Sequence, residues 1–166
     1  MAKTIQIRKA QDDDYSELML IENQIWTNEN SPILHHYNDV EEYAAKQKDE
    51  LIFVAVQEEQ LIGFVNVHQP THLPSHKHQW MIGIGVHPDY QSSGAGRKLL
   101  DYLKMTAPSY GIHKLSLRVM GTNNRAINFY KRNGFVEEGH LRDEFYINDA
   151  YCDDYLFAYF LQKTEK

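Results

Sequence analysis

An apolar strand that passes through a short glycine loop into a helix is the feature that most constrains this chain. The strand covers residues 80–86, and the loop contains Gln91, Gly94 and Gly96 immediately before the helix. The first N–H groups of a helix have no intrahelical partner, and the helix dipole places positive charge beside them. Glycines let a phosphate approach the backbone closely. The segment therefore predicts a phosphate site, with Arg97 beside it.

The rest of the pattern predicts an α/β protein with a mixed, mostly antiparallel sheet flanked by helices. Strands are expected where apolar and polar residues alternate or where short apolar runs occur. These strands fall at 5–8, 51–56, 61–67, 80–86, 114–119, 135–147 and 151–161. Helices are expected after the N-capping residues 12–14, over 39–49, after Gly96 and through Arg132. We expect one domain over residues 1–166, because that length can bury a single core.

Two common phosphate-binding motifs do not match the glycine loop. A dinucleotide-binding fingerprint requires a third glycine and an acidic residue about 20 positions later, and no glycine precedes Gln91 in this loop. A P-loop requires Gly-Lys followed by Ser or Thr, whereas the sequence has Gly96-Arg97-Lys98. Taken alone, the two glycines are also compatible with a simple tight turn between strand and helix.

Two motifs in order resemble the GNAT superfamily of acetyl-CoA-dependent N-acetyltransferases. Val86-x-Pro88-x-Tyr90-Gln91-x-x-Gly94-x-Gly96-x-x-Leu99-Leu100 is similar to the family's pyrophosphate loop. Leu115-x-Leu117-x-Val119, followed by Asn124-x-Ala126-Ile127-x-Phe129-Tyr130-x-x-x-Gly134-Phe135, is similar to its second motif. The resemblance implies a sheet that splays between strands 4 and 5, with the pantetheine arm bound in the opening. It implies acetyl-CoA contacts for Ile84, Val86, Gln91, Ser92, Ser93, Gly94, Ala95, Gly96, Arg97, Asn124, Ala126, Phe129 and Lys131.

The resemblance also assigns roles to two residues of the second motif. Tyr130 matches the general acid, which gives a proton to the departing CoA thiolate. The alternative is a tyrosine that only packs in the core. Asn124 matches the residue that contacts the cofactor, although either Asn124 or Asn123 could instead cap the helix.

The base that deprotonates the amine is not evident from the sequence. Many relatives carry an acidic residue on the fourth strand, but this chain has Trp80-Met81-Ile82 there. His78 is a candidate because histidine titrates near neutral pH, and a water route to Asp143 or Glu144 is another. His68, His72, His76 and His78 suggest a metal site, but Pro70 and Pro74 interrupt any helical register. We expect no metal.

Composition narrows the class of partner. The formal charge is −6, which disfavours nucleic acid and anionic membranes as partners. No apolar run approaches the roughly 20 residues of a membrane span. The start of the sequence lacks the apolar region of a signal peptide. Cys152 is the only cysteine, so no internal disulfide is possible. These observations predict a cytoplasmic protein.

The resemblance and the charge together predict a small primary amine as the acceptor, such as an amino acid, a polyamine or an amine-bearing antibiotic. An enzyme that acetylates protein N-termini or lysines, and a non-catalytic acyl-CoA-binding module, remain alternatives. Asp153 is expected to order the acceptor pocket or to face solvent, with Asp154 on the opposite face of its strand. A homodimer that uses the aromatic segment 155–160 is also expected.

Overall fold

A computed structural model of the protein describes residues 2–161, which form seven strands and four α-helices. The strands are β1 (Ile5–Lys9), β2 (Leu51–Gln57), β3 (Gln60–His68), β4 (Gln79–Val86), β5 (Lys114–Met120), β6 (Val136–Ile147) and β7 (Ala150–Phe160). The helices are α1 (Tyr15–Ile25), α2 (Val40–Gln47), α3 (Ala95–Thr106) and α4 (Asn124–Arg132). Every predicted element is therefore present, with boundaries shifted by a few residues.

The strands form one sheet in the order β1-β2-β3-β4-β5-β7-β6. The pairs β1–β2, β2–β3, β5–β7 and β6–β7 are antiparallel, whereas β4–β5 is parallel. This arrangement confirms the predicted mixed, mostly antiparallel sheet. The parallel ladder joins only residues 79–81 of β4 to residues 114–116 of β5, whereas β5 pairs with β7 along its whole length.

The described residues group into two compact units. Unit 1 contains residues 2–25, 35–68 and 82–106, and unit 2 contains residues 26–34, 69–81 and 107–161. The prediction of one domain over 1–166 stays a prediction. None of the described helices is long and apolar enough to cross a membrane.

Helix α3 is anchored in the core of unit 1 by the apolar stripe that predicted it. Leu99, Leu100 and Leu103 are fully buried, and Ala95 at the start of the helix is nearly so. Burying one leucine side chain contributes on the order of 1.5–3 kcal/mol. This packing fixes the direction of α3, so its first turn is held at the end of the loop that follows β4.

The start of α1 differs in detail from the prediction. The three aspartates form a short 3₁₀ turn, and the capping residue is Gln11. Asp14 accepts hydrogen bonds from the Gln11 backbone N–H and from Arg8, both at 2.7 Å. The Arg8 hydrogen bond and the backbone hydrogen bond lower the pKa of Asp14 against the effect of burial. The third aspartate thus closes the capping box.

The closing hairpin of unit 2 turns where the sequence indicated. Asn148 and Asp149 both adopt positive φ angles, 52° and 60°, as a two-residue type I′ turn requires. Strand β7 lies between β5 and β6 and is therefore internal to the sheet. Phe157 and Ala158 are buried within this unit, and Phe160 is exposed. Two of the six residues of the segment 155–160 expected at a dimer contact are thus buried in the fold, and the homodimer stays a prediction.

Candidate functional site

The glycine loop of unit 1 has the open backbone that an anion site needs. A short 3₁₀ turn over residues 88–90 follows β4, and α3 begins at Ala95. Gly94 has a φ angle of +88°, which L side chains rarely adopt, and a Cβ added there would meet no atom within 4 Å. Gln91, Ser92 and Ser93 are exposed beside it. The loop therefore presents its main chain to solvent in front of a helix N-terminus.

The first turn of α3 adds positive charge to this surface. The Ser93 hydroxyl accepts a hydrogen bond from the Ala95 N–H at 3.3 Å. Gly96 is half-buried and Arg97 is exposed, with its Nε 3.8 Å from an Asp101 oxygen. Because both side chains of that pair are exposed, the pair holds Arg97 only weakly. The guanidinium can therefore turn towards a phosphate at the helix start.

Strand β4 leads into the loop with glycines on one face. A Cβ on Gly83 would lie 2.7 Å from Asn66 Oδ1, and a Cβ on Gly85 would lie 2.5 Å from Ile25 Cδ1. Ile84 and Val86 are half-buried and alternate with these glycines. The glycines allow neighbouring side chains of unit 1 to lie directly on the strand.

The hydrogen bonds at the start of α4 in unit 2 show whether Asn123 or Asn124 caps the helix. The Asn123 side chain accepts a hydrogen bond from the Ala126 N–H at 3.2 Å, which makes Asn123 the N-cap. Asn124 is the first helical residue and is exposed. Its side chain is therefore not needed for capping. Ala126 and Phe129 are half-buried along the same helix, and Lys131 is exposed.

Tyr130 is held at the end of α4 by a Schellman motif. The Gly134 N–H donates to the Lys131 carbonyl at 3.2 Å, and the Phe135 N–H donates to the Tyr130 carbonyl at 3.0 Å. Gly134 has a φ angle of +87°, as this motif requires. The Phe129 and Phe135 rings contact the Tyr130 ring edge-on, with centroids 5.2 and 5.5 Å away.

The surroundings of Tyr130 fix its protonation state. The residue is only 8% exposed, and burial raises the pKa of its hydroxyl. The phenol therefore keeps its proton at neutral pH, which is the state a proton donor must have.

A cavity of about 270 Å³ lies within unit 2, and the sequence analysis did not identify its residues. Its lining consists of Asn30, Pro32, Arg118, Met120, Phe145 and Asp154. Arg118 Nε donates to the buried Asp154 carboxylate at 2.5 Å, and its Nη2 lies 3.4 Å from Glu144. The guanidinium also lies 5.9 Å from the centre of the Phe145 ring.

The two neighbouring aspartates of β7 face in opposite directions, as alternation predicts. Asp154 is the one that lines the cavity, whereas Asp153 pairs with His140 at 2.8 Å and accepts the Asp143 N–H at 2.8 Å. The Asp143 backbone hydrogen bond and His140 lower the pKa of Asp153. Asp153 therefore links the two strands of the hairpin, and its expected role at the acceptor pocket stays a prediction.

The candidate bases are engaged in different contacts. His78 Nδ1 lies 2.8 Å from the Gly111 carbonyl, so this nitrogen carries the proton, and the residue is exposed. Glu144 pairs with Arg118, and Asp143 has a positive φ of 53° at an irregularity in β6. Each candidate stays a prediction.

Two of the four histidines that suggested a metal site, His68 and His76, contact different groups. His76 lies 2.7 Å from the Thr71 hydroxyl, and His68 lies 3.6 Å from Glu50. Within residues 2–161, no three His, Cys, Asp or Glu side chains are grouped to hold a metal ion.

Comparison with known proteins identifies the family. The model of the acetyltransferase (GNAT) family matches residues 9–135. The chain belongs to the GNAT acetyltransferase family. The match covers the glycine loop, α4 and Tyr130, and the resemblance expected from the two motifs is confirmed. Members of this family use acetyl-CoA as the acetyl donor.

Individual relatives of this GNAT protein agree on the reaction class. A spermidine N(1)-acetyltransferase of Vibrio cholerae is 39% identical over 71 residues, which span 42% of this chain and 41% of that protein. An acetyltransferase of Yersinia pestis is 29% identical over 131 residues, which span 77% of this chain and 85% of the relative. The match to the spermidine enzyme thus spans less than half of that enzyme's length.

Solved structures share the fold along almost the whole chain. The smu.2055 protein of Streptococcus mutans superposes with a TM-score of 0.87 at 25% identity, covering 95% of this chain and 99% of that one. A putative acetyltransferase of Salmonella typhimurium, solved with acetyl-CoA, superposes with a TM-score of 0.83 at 19% identity, covering 98% and 96%. These likenesses confirm the predicted fold class.

Proposed function

We propose that this GNAT protein transfers the acetyl group of acetyl-CoA to a primary amine of a small molecule by direct attack. The observation that supports a small acceptor is the cavity of unit 2. Its volume of about 270 Å³ is slightly below the range typical of small-molecule pockets, roughly 300–1,000 Å³. An extended peptide would need a longer groove.

The charges of the cavity favour a cationic or zwitterionic amine. Asp154 is only 2% exposed and carries a carboxylate beside Arg118, while Glu144 adds a second carboxylate. The Arg118 side chain is 42% exposed, so its remaining N–H groups can meet a substrate carboxylate. The partial similarity to a spermidine acetyltransferase supports a positively charged acceptor.

The donor would be held mainly by the main chain of unit 1. The pyrophosphate would bind at the loop of residues 91–97, where Gly94 leaves open space and α3 presents its N-terminus. The pantetheine arm would pair with the β4 main chain near Ile84 and Val86, as an added strand pairs with a sheet edge. Asn124, Ala126, Phe129 and Lys131 would supply further contacts from α4. A site that holds its ligand through backbone groups fits a loop whose side chains are small.

Tyr130 would act as the general acid of the reaction. The amine nitrogen attacks the thioester carbonyl, the C–S bond breaks, and the departing thiolate takes the phenolic proton. The buried hydroxyl is protonated at neutral pH because burial raises its pKa. The phenolate would then regain a proton from the amine nitrogen or from water.

The proposal is tested with an acceptor panel in a thiol-release assay. Spermidine, L-methionine, kanamycin and a peptide with a free N-terminus are each supplied with acetyl-CoA. Release of CoA with a small amine, but not with the peptide, supports the proposal. Acetylation of the peptide alone would indicate a protein acetyltransferase, and binding of acetyl-CoA without turnover would indicate a binding module.

Donor binding is tested at the glycine loop. Replacing Gly94 and Gly96 together by leucine places side chains where the phosphate would lie, so acetyl-CoA binding measured by calorimetry should be lost. Circular dichroism should show that the double variant remains folded, because Gly94 is exposed with open space around it and Gly96 is only half-buried. Unchanged acetyl-CoA affinity would exclude this loop as the phosphate site. The predicted absence of nucleic-acid and membrane partners and the cytoplasmic location stay predictions.

A further inference from the structure

The cavity of unit 2 combines one guanidinium with a largely apolar lining. Arg118 lies on β5, and Met120 follows it two positions later on the same face of that strand. Asp154 on β7 pairs directly with Met120, so the Asp154 side chain lies on the same face as Arg118. The three residues thus form one wall of the cavity, entirely within unit 2.

The Arg118 head group is held along one edge and open along the other. Its Nε donates to the Asp154 carboxylate at 2.5 Å, and Asp154 is only 2% exposed. Among the residues that the structure describes, Arg118 Nη1 has no hydrogen-bond partner, and the side chain is 42% exposed. A guanidinium carries five N–H donors in one plane. Asp154 therefore fixes the plane of the group, and the outer N–H groups remain for a ligand.

A second carboxylate already reaches the outer edge of this guanidinium. Glu144 Oε1 lies 3.4 Å from Arg118 Nη2, and both side chains are more than one-third exposed. An ion pair of this length and exposure contributes little to stability. A ligand carboxylate that took the place of Glu144 would keep Nη2 hydrogen-bonded and would also reach Nη1, in the two-pronged geometry that arginine prefers.

The remaining lining is apolar and is fastened to the same unit. Met120 is buried and Phe145 is half-buried. The loop that carries Asn30 and Pro32 is tied to the end of β5, because the Thr122 hydroxyl donates to the Glu29 carbonyl at 2.7 Å. This wall suits an apolar side chain, whereas a second ammonium group would meet the positive charge of Arg118.

We propose that Arg118 binds the carboxylate of an amino acid acceptor and thereby determines the specificity of the cavity. The inference rests on the proposed function, which assigns this cavity to the acceptor. It narrows that proposal, because among cationic and zwitterionic amines the cavity prefers amino acids with an apolar side chain. Arg118 is then a binding residue, and Asp154 is a positioning residue that orients it.

The test compares acceptors that differ only in the carboxylate. L-Methionine is paired with 3-(methylthio)propylamine, and L-leucine is paired with isoamylamine, which are the decarboxylated forms. For each compound, kcat/KM is measured by thiol release with acetyl-CoA, and binding is measured by calorimetry without acetyl-CoA, both with and without CoA. The wild type should bind each amino acid at least about tenfold more tightly than its amine, since hydrogen bonds between charged groups are the strong ones.

Variants separate recognition of the carboxylate from the different basicity of the two amines. In Arg118→Gln, the ratio of kcat/KM between amino acid and amine should fall at least about tenfold from its wild-type value. Because this variant leaves the buried Asp154 carboxylate unpaired, the double variant Arg118→Gln/Asp154→Asn is measured beside it, and the same fall is expected. The control Arg142→Gln removes an exposed positive charge of β6 that does not line the cavity, and it should keep the wild-type ratio.

The ratio also distinguishes binding from a purely structural role. A damaged fold would lower the rates with both members of a pair and leave their ratio unchanged. A double variant that keeps the wild-type ratio would overturn the inference, and so would a wild type that binds the amino acids no better than the amines. Acetylation of small amines in either case would leave the proposed function standing. Conversely, binding of L-methionine that depends on Arg118, without acetylation of any acceptor, would overturn the proposed function and leave the carboxylate site in place.

Discussion

At the scale of single residues, Tyr130, Asp154 and His68 differ in their burial and in the groups that they contact. The Tyr130 ring packs against the rings of Phe129 and Phe135. Its buried hydroxyl keeps its proton because burial raises its pKa. Asp154 is also buried, and its carboxylate accepts a hydrogen bond from Arg118. His68 is half exposed and faces Glu50, which suits proton exchange with solvent. The environment thus separates a buried phenol, a buried ion-pair partner and a histidine that is partly open to solvent.

Removing the Tyr130 hydroxyl should affect the chemical step alone. In Tyr130→Phe the ring packing against Phe129 and Phe135 is retained, so acetyl-CoA affinity should be nearly unchanged. We expect kcat to fall by at least roughly tenfold, since a general acid typically contributes about 10²–10⁴. Single-turnover kinetics would measure this, and near-full kcat where chemistry limits the rate would show that Tyr130 only packs in the core.

The pH dependence of the wild type provides a control for that experiment. Burial raises the pKa of Tyr130 above its ordinary value of about 10, so the proton donor is lost only above that pH. The rate should therefore show no alkaline fall owed to Tyr130 below about pH 10. An alkaline limb near pH 8 that disappears in Tyr130→Phe would show that the phenol titrates there, which would contradict the raised pKa but not the role of Tyr130 as the acid.

The Arg118–Asp154 pair should contribute to stability as well as to the cavity. Asp154→Asn leaves the guanidinium without its buried carboxylate, so we expect the free energy of unfolding to fall by about 1–3 kcal/mol. Urea denaturation would measure it. The matched control is Glu144→Gln, which removes the longer and more exposed ion pair of Arg118 and should cost at most about 1 kcal/mol. Equal decreases in the free energy of unfolding of the two variants would mean that the burial of Asp154 adds nothing to the stability of its ion pair.

At the scale of elements, periodicity was enough to predict every strand and helix but not the contacts between them. Leu99, Leu100 and Leu103 recur on one helical face, so α3 could be placed from the sequence. Alternation correctly separated Asp153 from Asp154, yet the choice of which one faces a cavity depends on pairing with Arg118 across the sheet. Glu50 and His68 are distant in sequence and meet only because β2 and β3 pair. Neither the Asp154–Arg118 pair nor the Glu50–His68 pair can be recognised from residues that are adjacent in the sequence.

Two glycines with nearly the same φ angle, one before α3 and one after α4, allow a matched test at the ends of helices. Gly134 closes α4 at a φ of +87°, and a Cβ there would lie 3.1 Å from Tyr159 Cε2. Gly94 precedes α3 at a φ of +88°, and a Cβ there would meet nothing within 4 Å. Left-handed backbone strain costs about 1–2 kcal/mol in both alanine variants. Gly134→Ala should lose additional stability in thermal unfolding because Tyr159 must shift, and a greater loss for Gly94→Ala would contradict this.

At the scale of the whole molecule, each of the two units carries candidate groups of its own. Unit 1 contains the glycine loop, residues 82–86 of β4 and the Glu50–His68 pair, and unit 2 contains α4 with Tyr130 and the Arg118–Asp154 cavity. Donor binding and acceptor binding are thus assigned largely to different parts of the sequence. Variants of the loop should therefore alter acetyl-CoA affinity, whereas variants of the cavity should alter acceptor affinity.

The net charge of −6 should make capture of a cationic acceptor sensitive to salt. Charges that attract a polycation act over the Debye length, which is about 10 Å at 0.1 M ionic strength and about 3 Å at 1 M. We expect kcat/KM for spermidine to fall at least severalfold over that range, with little change in kcat, because screening acts on encounter rather than on chemistry. L-Methionine, whose net charge is near zero, is the control and should change little. Equal decreases for both acceptors would show that salt acts on acetyl-CoA binding or on the protein itself, and that the acidic surface does not steer the amine.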